Sequence, residues 1–340
     1  MKLKISYVLL SVILCSNFAL AKTSNLPVPD TVSPYLQQNI AVKNNSWNIP
    51  LKTEQQWHAF IDGVAVAGAA NSQKMAEHFN VSIDEGYIDN IHTYTLTPPE
   101  IAPENQDKVI LFLHGGGYVL NPGISGISEG VMLAGIGKYK VISVDYRMAP
   151  QHPYPAAIDD AFKVYKKLLK DYASKDIGVY GTSTGGGMTL ILTMMARDND
   201  LPVPGAIVPS TPWSDLTKTG DSYFTNDKVD NVLVSYDGWL SDAVRVYAQG
   251  NDLKDPYLSP VYGDVSSFPP TLLISGTRDL FLSNTVRMQQ KLIEKNIPNN
   301  LIIYEGQSHC QYYLGLPPDA PELQNHYRNV SQFFNENLGK

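Results

Sequence analysis

The stretch that most constrains the fold of this chain runs from Val179 to Gly187 and reads Val-Tyr-Gly-Thr-Ser-Thr-Gly-Gly-Gly. Two residues that favour β-strand come first, and the residues after Gly187 have the pattern of a helix. A strand that turns into a helix within so few residues forces its corner residue, Ser183, into a strained backbone conformation. Gly181 and Gly185 flank that corner, where strand and helix pass too closely for side chains. The pattern therefore predicts a serine hydroxyl exposed at a helix N-terminus, where negative charge is stabilised.

A serine in this position is a candidate nucleophile. The alternative is a structural turn, because glycine is abundant in this chain and Gly-x-Ser-x-Gly also occurs in plain turns. The strand before the motif and the helix after it favour the nucleophile.

Short apolar strands alternate with helical segments from about residue 91 onward, which predicts an α/β fold: a mostly parallel central sheet with helices on both faces. Strands are predicted near residues 91–96, 108–113, 140–145, 179–180, 205–209, 271–275 and 300–304, and helices near 156–170, 188–197 and 321–337. In such a sheet the ligand lies beyond the carboxyl ends of the strands. Reactive side chains are therefore expected directly after each strand.

Two parts of the chain depart from this alternation. Residues 54–61 and 66–79 have apolar residues at helical spacing and predict two helices. Between Ser210 and Pro260 the pattern breaks, and an aromatic region with one helix near 235–247 reads as an insertion over the sheet. The two parts together are expected to form a helical cap on the active site.

The first 21 residues have the pattern of a secretory signal peptide. Met1-Lys-Leu-Lys4 is basic, Ile5 to Leu14 is apolar, and Ala19-Leu-Ala21 is a small-residue cleavage site. A membrane anchor is the alternative, but it requires a longer uninterrupted apolar span. We therefore expect an exported protein, periplasmic or secreted, with no stable membrane insertion after cleavage.

The predicted organisation is a signal peptide at 1–21, an N-terminal cap segment at 22–90, and a catalytic domain at 91–340 with a cap insertion at about 213–250.

Composition narrows the classes of function. Of the 340 residues, 43% are hydrophobic and 17% are charged, which is typical of a soluble globular protein. The formal charge of −7, without a basic cluster, argues against a nucleic-acid partner. The cysteines are Cys15, which would leave with the signal peptide, and Cys310, so no internal disulfide is expected. No metal-ligand spacing and no dinucleotide-binding glycine pattern occurs in the sequence, so we predict neither a metal nor a cofactor.

His114-Gly-Gly-Gly117 follows directly after a predicted strand. Consecutive glycines are costly in chain entropy and are used where backbone amides must approach another group closely. We therefore expect the N–H groups of Gly115 and Gly116, with that of Thr184, to bind an oxyanion, although a flexible turn is the alternative. His114 is interpreted as an orienting hydrogen-bonding residue.

A serine nucleophile needs a base and an acid, which follow it along the chain in many hydrolases. Only two histidines follow Ser183: His309 lies in a loop after a predicted strand, whereas His326 lies in the terminal amphipathic helix and is expected to face solvent. We predict His309 as the base. Asp279 follows the strand at 271–275 and is the predicted acid, with a helix N-cap as its alternative role.

These motifs together resemble the bacterial hormone-sensitive-lipase-like esterases of the α/β-hydrolase superfamily. The matching stretches are His114–Gly117, Asp145–Pro150, His152–Pro155, Gly181–Gly186, Thr211–Leu216, Asp255–Pro260, Gly276–Leu280 and Gly306–His309. The resemblance implies an α/β-hydrolase fold with a cap, and a serine carboxylesterase that acts on short- to medium-chain acyl esters. It implies Ser183, Asp279 and His309 as the triad and Gly115, Gly116 and Thr184 as oxyanion donors.

The chain departs from the family at three positions around the serine. Thr182 stands where the family usually has an acid, which implies that an acidic group next to the nucleophile is missing. Thr184 replaces a small alanine and is expected to narrow the acyl site, and Gly187 stands where asparagine is usual. A lactone hydrolase with the same triad is an alternative, as is a non-catalytic ligand-binding protein of this fold, although receptors of that kind have lost the histidine that this chain retains at 309.

Overall fold

A computed structural model of the protein describes residues 26–42 and 48–340. Within these two ranges the strands are β1 (Ser82–Ile88), β2 (Ile91–Thr97), β3 (Val109–Leu113), β4 (Lys140–Val144), β5 (Ile177–Thr182), β6 (Ala206–Ser210), β7 (Thr271–Gly276) and β8 (Asn299–Tyr304). The α-helices are α1 (Pro34–Ala41), α2 (Glu54–Phe79), α3 (Ser128–Gly137), α4 (Ala156–Asp171), α5 (Thr184–Asp198), α6 (Ser222–Thr225), α7 (Trp239–Ala248), α8 (Leu282–Glu294) and α9 (Pro321–Asn337). None of the helices in these two ranges has both the length and the apolarity needed to cross a bilayer. The predicted signal peptide, with Cys15, lies outside the described residues.

The described strands form one sheet in the order β1-β2-β4-β3-β5-β6-β7-β8. β2 pairs antiparallel with both β1 and β4, and the other pairs are parallel. The parallel strands end together, because Leu113 of β3 lies opposite Gly181 of β5 and Gly276 of β7 lies opposite Tyr304 of β8. The loops that follow these four strands therefore leave the sheet at one edge, where ligands bind in this class of fold.

Side chains of the central strands alternate between two apolar cores, one on each face of the sheet. Val109, Leu111 and Leu113 of β3 belong to the core that includes α4, α5, α7 and α8. Ile110 and Phe112 belong to the core of α3 and α9. A strand buried on both faces must be apolar throughout, as β3 is. The predicted mostly parallel sheet with helices on both faces is confirmed.

The two predicted N-terminal helices are one continuous helix, α2, so the predicted break between them is wrong. α2 begins with a capping box, in which Thr53 Oγ1 accepts from the Gln56 N–H and the Gln56 side chain accepts from the Thr53 N–H. Farther along, a Cβ atom on Gly68 would lie 2.9 Å from the Cβ atom of Ser125. This close packing stabilises α2 just after the predicted gap at 62–65, which contains Gly63, and the helix continues through that gap.

The sheet begins earlier than the predicted boundary at residue 91, because Ser82–Ile88 forms its edge strand. Most of this strand is exposed, so the sequence lacks the alternation of apolar and polar residues that would predict a strand.

The predicted insertion contacts the chain ahead of α2: Asp242 of α7 accepts from the Leu51 N–H at 2.8 Å and pairs with Lys52 at 3.2 Å. A cap built from both segments requires such a contact, and the division into cap and catalytic domain stays a prediction.

Candidate active site

β5 turns into α5 at Ser183, which has a φ of 61° and a ψ of −119°. Residues with a side chain rarely adopt this backbone conformation. A Cβ atom on Gly181 would overlap the carbonyl group of Gly185, and one on Gly185 would overlap the carbonyl group of Leu113. The Ser183 carbonyl accepts a hydrogen bond from the Trp213 N–H at 2.8 Å, which helps to hold the turn. The predicted strand–turn–helix corner is therefore present, and we call it the elbow.

The imidazole of His309 is hydrogen-bonded to the carboxylate of Asp279, with 3.0 Å between Nδ1 and Oδ1. Asp279 is fully buried, and its carboxylate also accepts from the Ser275 hydroxyl and the Phe281 N–H, both at 2.8 Å. These contacts hold the carboxylate in one orientation and assign the proton of the neutral imidazole to Nδ1. Phe281, and not Asp279, occupies the N-cap position of α8.

One contact joins the loop of the predicted base to the elbow, and a second joins it to the residue that follows β6. Tyr312 OH lies 3.0 Å from Thr182 Oγ1, and Cys310 Sγ lies 3.4 Å from Thr211 Oγ1. The Nε2 atom of His309 is buried and has no hydrogen-bond partner among the described residues. The serine and the imidazole are thus not hydrogen-bonded to each other. Such bonds are often long without substrate and tighten when it binds.

The pKa of His309 lies well above the usual 6.5. Burial alone lowers this pKa, whereas the Asp279 carboxylate raises it, as would a thiolate at Cys310. Burial also raises the pKa of the Cys310 thiol, so that thiol carries no charge near neutral pH. The Asp279 carboxylate is therefore the group that stabilises the imidazolium. Cys310 is itself only 3% exposed, in agreement with its interpretation as a small buried residue.

The loop after β3 brings backbone amides next to Ser183. A Cβ atom on Gly115 would lie 3.0 Å from the Ser183 Cβ atom, so only glycine permits this approach without a shift. The Gly115 carbonyl accepts from Asn121 Nδ2 at 3.0 Å and is 2.8 Å from His114 Nδ1. Because the carbonyl and the following N–H of a planar peptide point in opposite directions, these bonds fix the direction of the Gly116 N–H.

Three backbone N–H groups beside the serine are unpaired. Those of Gly115, Gly116 and Thr184 donate no hydrogen bond to any residue of the described part of the chain. Thr184 is the first residue of α5, so its N–H has no acceptor within the helix. Gly116 has a φ of 127°, a region that disfavours residues with a side chain. The arrangement is suited to a developing negative charge on a carbonyl oxygen.

Thr182 does have a carboxylate beside it, so the expectation that an acidic group is missing there is wrong. Glu129 of α3 accepts from Thr182 Oγ1 at 2.7 Å and from Tyr180 OH at 2.8 Å. Sequence reasoning missed Glu129, because α3 shows no pattern that signals a contact with a strand 53 residues away. Thr184, the residue that is expected to narrow the acyl site, is fully buried.

Asp230, in the insertion, is a second buried carboxylate that sequence reasoning missed. Its Oδ2 atom accepts from the Leu280 N–H at 2.8 Å and the His309 N–H at 3.3 Å. Its Oδ1 atom accepts from two backbone N–H groups of its own loop. Burial and the nearby Asp279 raise its pKa to about 6. Asp230 thus connects the insertion to the loops that carry the predicted acid and base.

His326 does not face solvent, so that prediction is wrong. It lies fully buried on the face of α9 that also buries Leu323 and Val330. Its ring stacks on Tyr312 with 3.7 Å between centroids, and Nε2 lies 3.2 Å from Tyr180 OH. Burial lowers its pKa to about 3, so the imidazole is neutral. It packs behind the loop of His309.

A cleft of about 740 Å³ opens beside Gly115, within the size range of small-molecule sites. Small and apolar side chains of α2 form one wall, and the loop that follows His309 forms another. Lining residues include Gly63, Val64, Ala67, Gly68, Asn121 and Leu316.

Comparisons with known proteins identify the family to which this chain belongs. The model of a family described as alpha/beta hydrolase fold matches residues 110–313. An esterase of Acinetobacter venetianus is 32% identical over 210 residues, which cover 60% of this chain and 68% of that protein. An acetyl-hydrolase of Streptomyces hygroscopicus is 28% identical and covers 72% of this chain and 81% of its own. The crystal structure of esterase E25 has a TM-score of 0.89 and 39% identity, and covers 95% of this chain and 100% of its own. The chain therefore belongs to the α/β-hydrolase family.

Proposed function

We propose that the protein is a serine carboxylesterase that hydrolyses short- to medium-chain acyl esters through an acyl-enzyme intermediate. The observation that carries the proposal is that His309, oriented by Asp279, lies in a loop packed against the Ser183 elbow. The relatives named esterase and acetyl-hydrolase support ester hydrolysis. A lactone is a cyclic ester that the same groups would open.

In the acylation step Ser183 Oγ attacks the acyl carbon, and its proton passes to Nε2 of His309. The carbonyl oxygen becomes an oxyanion within reach of the unpaired N–H groups of Gly115, Gly116 and Thr184. The imidazolium is stabilised by Asp279 and then gives its proton to the leaving alcohol. The ester bond to the alcohol breaks, and the acyl group remains bound to the serine oxygen.

In the deacylation step a water molecule attacks the acyl carbon while His309 Nε2 takes its proton. The oxyanion forms again at the same donors. His309 then returns the proton to Ser183 Oγ as the bond between serine and acyl group breaks, which releases the carboxylic acid and regenerates the enzyme.

The test is to compare Ser183→Ala with the matched control Cys310→Ala, since each substitution removes a nucleophilic atom and Cys310 directly follows His309 in the chain. On p-nitrophenyl butyrate, Ser183→Ala should lose turnover by roughly four orders of magnitude, whereas Cys310→Ala should retain it. Circular dichroism shows whether both variants fold. Turnover that survives in folded Ser183→Ala contradicts the proposal. A series of p-nitrophenyl esters from acetyl to decanoyl, with lactones added, then defines the substrate class.

We also propose that residues 1–21 direct export and are removed. Their basic, apolar and small-residue segments support this. Intact-mass analysis of protein from the periplasm or medium should give a chain that begins at Lys22. A full-length chain that stays with the cell membrane contradicts the proposal.

A further inference from the structure

Glu129 is a buried carboxylate to which the proposed ester hydrolysis assigns no role. It is 3% exposed and lies in the first turn of α3, outside the loops that carry the candidate triad. Its Oε2 atom accepts from Thr182 Oγ1 at 2.7 Å and from Tyr180 OH at 2.8 Å. A buried charge is costly unless hydrogen bonds satisfy it, and these two hydroxyls of β5 supply such bonds.

The same oxygen also reaches the loop that carries His309. Tyr312 OH lies 3.5 Å from Glu129 Oε2 and 3.0 Å from Thr182 Oγ1. Thr182 directly precedes Ser183, and Tyr312 follows His309 by three residues. One carboxylate oxygen is therefore shared by the residue before the nucleophile and by the loop of the base.

We propose that Glu129 is a positioning residue, whose carboxylate holds the elbow and the His309 loop at the separation that proton transfer from Ser183 to His309 requires. This inference rests on the proposed ester hydrolysis. Because general-base catalysis depends on hydrogen-bond distance, a small change in that separation lowers the rate of the chemical step more than it weakens substrate binding.

The charge of Glu129 acts on the same pair. Burial raises the pKa of Glu129 to about 7, and the hydrogen bonds from Thr182 and Tyr180 oppose that rise. Titratable groups that face it or lie in its surroundings are Tyr180, His309, Cys310, Tyr312, Tyr313, His326 and Tyr327. A carboxylate in this place favours the protonated form of His309. Loss of the charge should therefore lower the pKa of that imidazole.

The test uses Glu129→Gln, Tyr312→Phe and the matched control Asp160→Asn in the full chain. Asp160 is as buried as Glu129, at 1% exposed, but its carboxylate binds Arg147 and touches neither the elbow nor the His309 loop. Reactive serine is counted with a fluorophosphonate, so that kcat refers to folded enzyme. KM and the pH profile of kcat/KM are measured with p-nitrophenyl butyrate.

In Glu129→Gln we expect kcat to fall about tenfold with little change in KM, and the acid limb of kcat/KM to move to lower pH. Tyr312→Phe should also lower kcat but should move the acid limb less, because the carboxylate stays. Asp160→Asn should lower thermal stability but should leave kcat, KM and the pH profile unchanged.

An unchanged kcat and pH profile in folded Glu129→Gln overturns the proposal. If that variant does not fold, Tyr312→Phe decides: a lower kcat at constant KM supports the proposal, and a wild-type kcat overturns it. Wild-type protein without esterase activity, or Ser183→Ala with it, would instead refute the proposed function.

Discussion

Oδ2 of Asp230 lies 3.3 Å from the backbone nitrogen of His309 and 2.8 Å from that of Leu280. These two bonds join the insertion to the residue next to Asp279 and to His309, the predicted base. The insertion therefore contributes to the geometry of the candidate triad.

Asp230→Asn tests this connection. An amide offers one acceptor oxygen in place of two, so backbone N–H groups on one side of the residue lose their partner. We expect the free energy of unfolding to fall by about 1–3 kcal/mol, the cost of leaving buried donors unpaired. We also expect kcat to fall with little change in KM, because both loops shift. Urea unfolding and active-site-titrated kinetics measure the two effects.

Asp237→Asn is the matched control for this prediction. Asp237 lies in the same insertion, but its side chain is largely exposed and pairs with Lys218 on the surface. Its replacement should change the free energy of unfolding by less than about 1 kcal/mol. Equal loss of kcat in both variants would show that the insertion, and not the Asp230 carboxylate, positions the loops.

Gly116→Ala should disrupt the unpaired amides after β3. Gly116 has a φ of 127°, and a Cβ atom there would lie 2.5 Å from the Leu120 carbonyl oxygen. The loop must shift to relieve this contact, which turns the Gly116 N–H away from the oxyanion. We expect kcat to fall by roughly 10²- to 10³-fold, as for the loss of one oxyanion donor.

Gly86→Ala is the matched control for this prediction. Gly86 lies on the edge strand β1, and a Cβ atom added there would meet nothing within 4 Å. That variant should keep wild-type kcat. If Gly116→Ala also keeps wild-type kcat, with a folded structure shown by circular dichroism, the amides of this loop do not bind the oxyanion.

The pH profile of kcat/KM should report His309 in the free enzyme. The base must be neutral to accept a proton, so activity rises as pH rises through its pKa. Because the Asp279 carboxylate raises that pKa, the acid limb should have its midpoint above 6.5. Asp279→Asn should move the midpoint to lower pH and reduce kcat by about 10⁴-fold, since the imidazole loses its orienting partner. If the midpoint does not move in this variant, the acid limb does not report the ionisation of His309 beside Asp279.

The loops of the candidate site were predictable from the sequence because each follows a strand of the parallel part of the sheet. A run such as Val109–Leu113 is apolar throughout, and parallel strands place the residues that follow them at one edge. His114 and Ser183 each follow a strand that is buried throughout, whereas His309 follows β8, whose residues are half-buried or exposed. Local sequence therefore carries enough information to place all three residues at that edge of the sheet.

Glu129 and Asp230 were not predictable in this way. Each is an ordinary acidic residue in its own segment, and each acquires its role through contacts 53 and 79 residues away. The continuity of α2 is a related case: Gly63 lies at the predicted break, and the helix is held by tertiary packing outside it, as where Gly68 contacts Ser125. Tertiary contact decides these cases, and neither periodicity nor a motif encodes it.

His326→Phe should change how stability depends on pH. The folded protein holds the pKa of His326 at about 3, against 6.5 in the unfolded chain. The unfolded state therefore binds a proton more readily, and stability that is fully present above pH 6.5 is lost as the pH falls towards 3. Between about pH 7.5 and 5 this single histidine should account for about 2 kcal/mol of lost unfolding free energy. Phenylalanine retains a ring that can stack on Tyr312 but cannot take up a proton. Between pH 7.5 and 5 the unfolding free energy of the variant, measured with urea, should therefore fall by about 2 kcal/mol less than that of the wild type. His58→Gln removes an exposed histidine and should keep the wild-type difference. If His326→Phe also keeps it, the buried imidazole is not the group that destabilises the fold in acid.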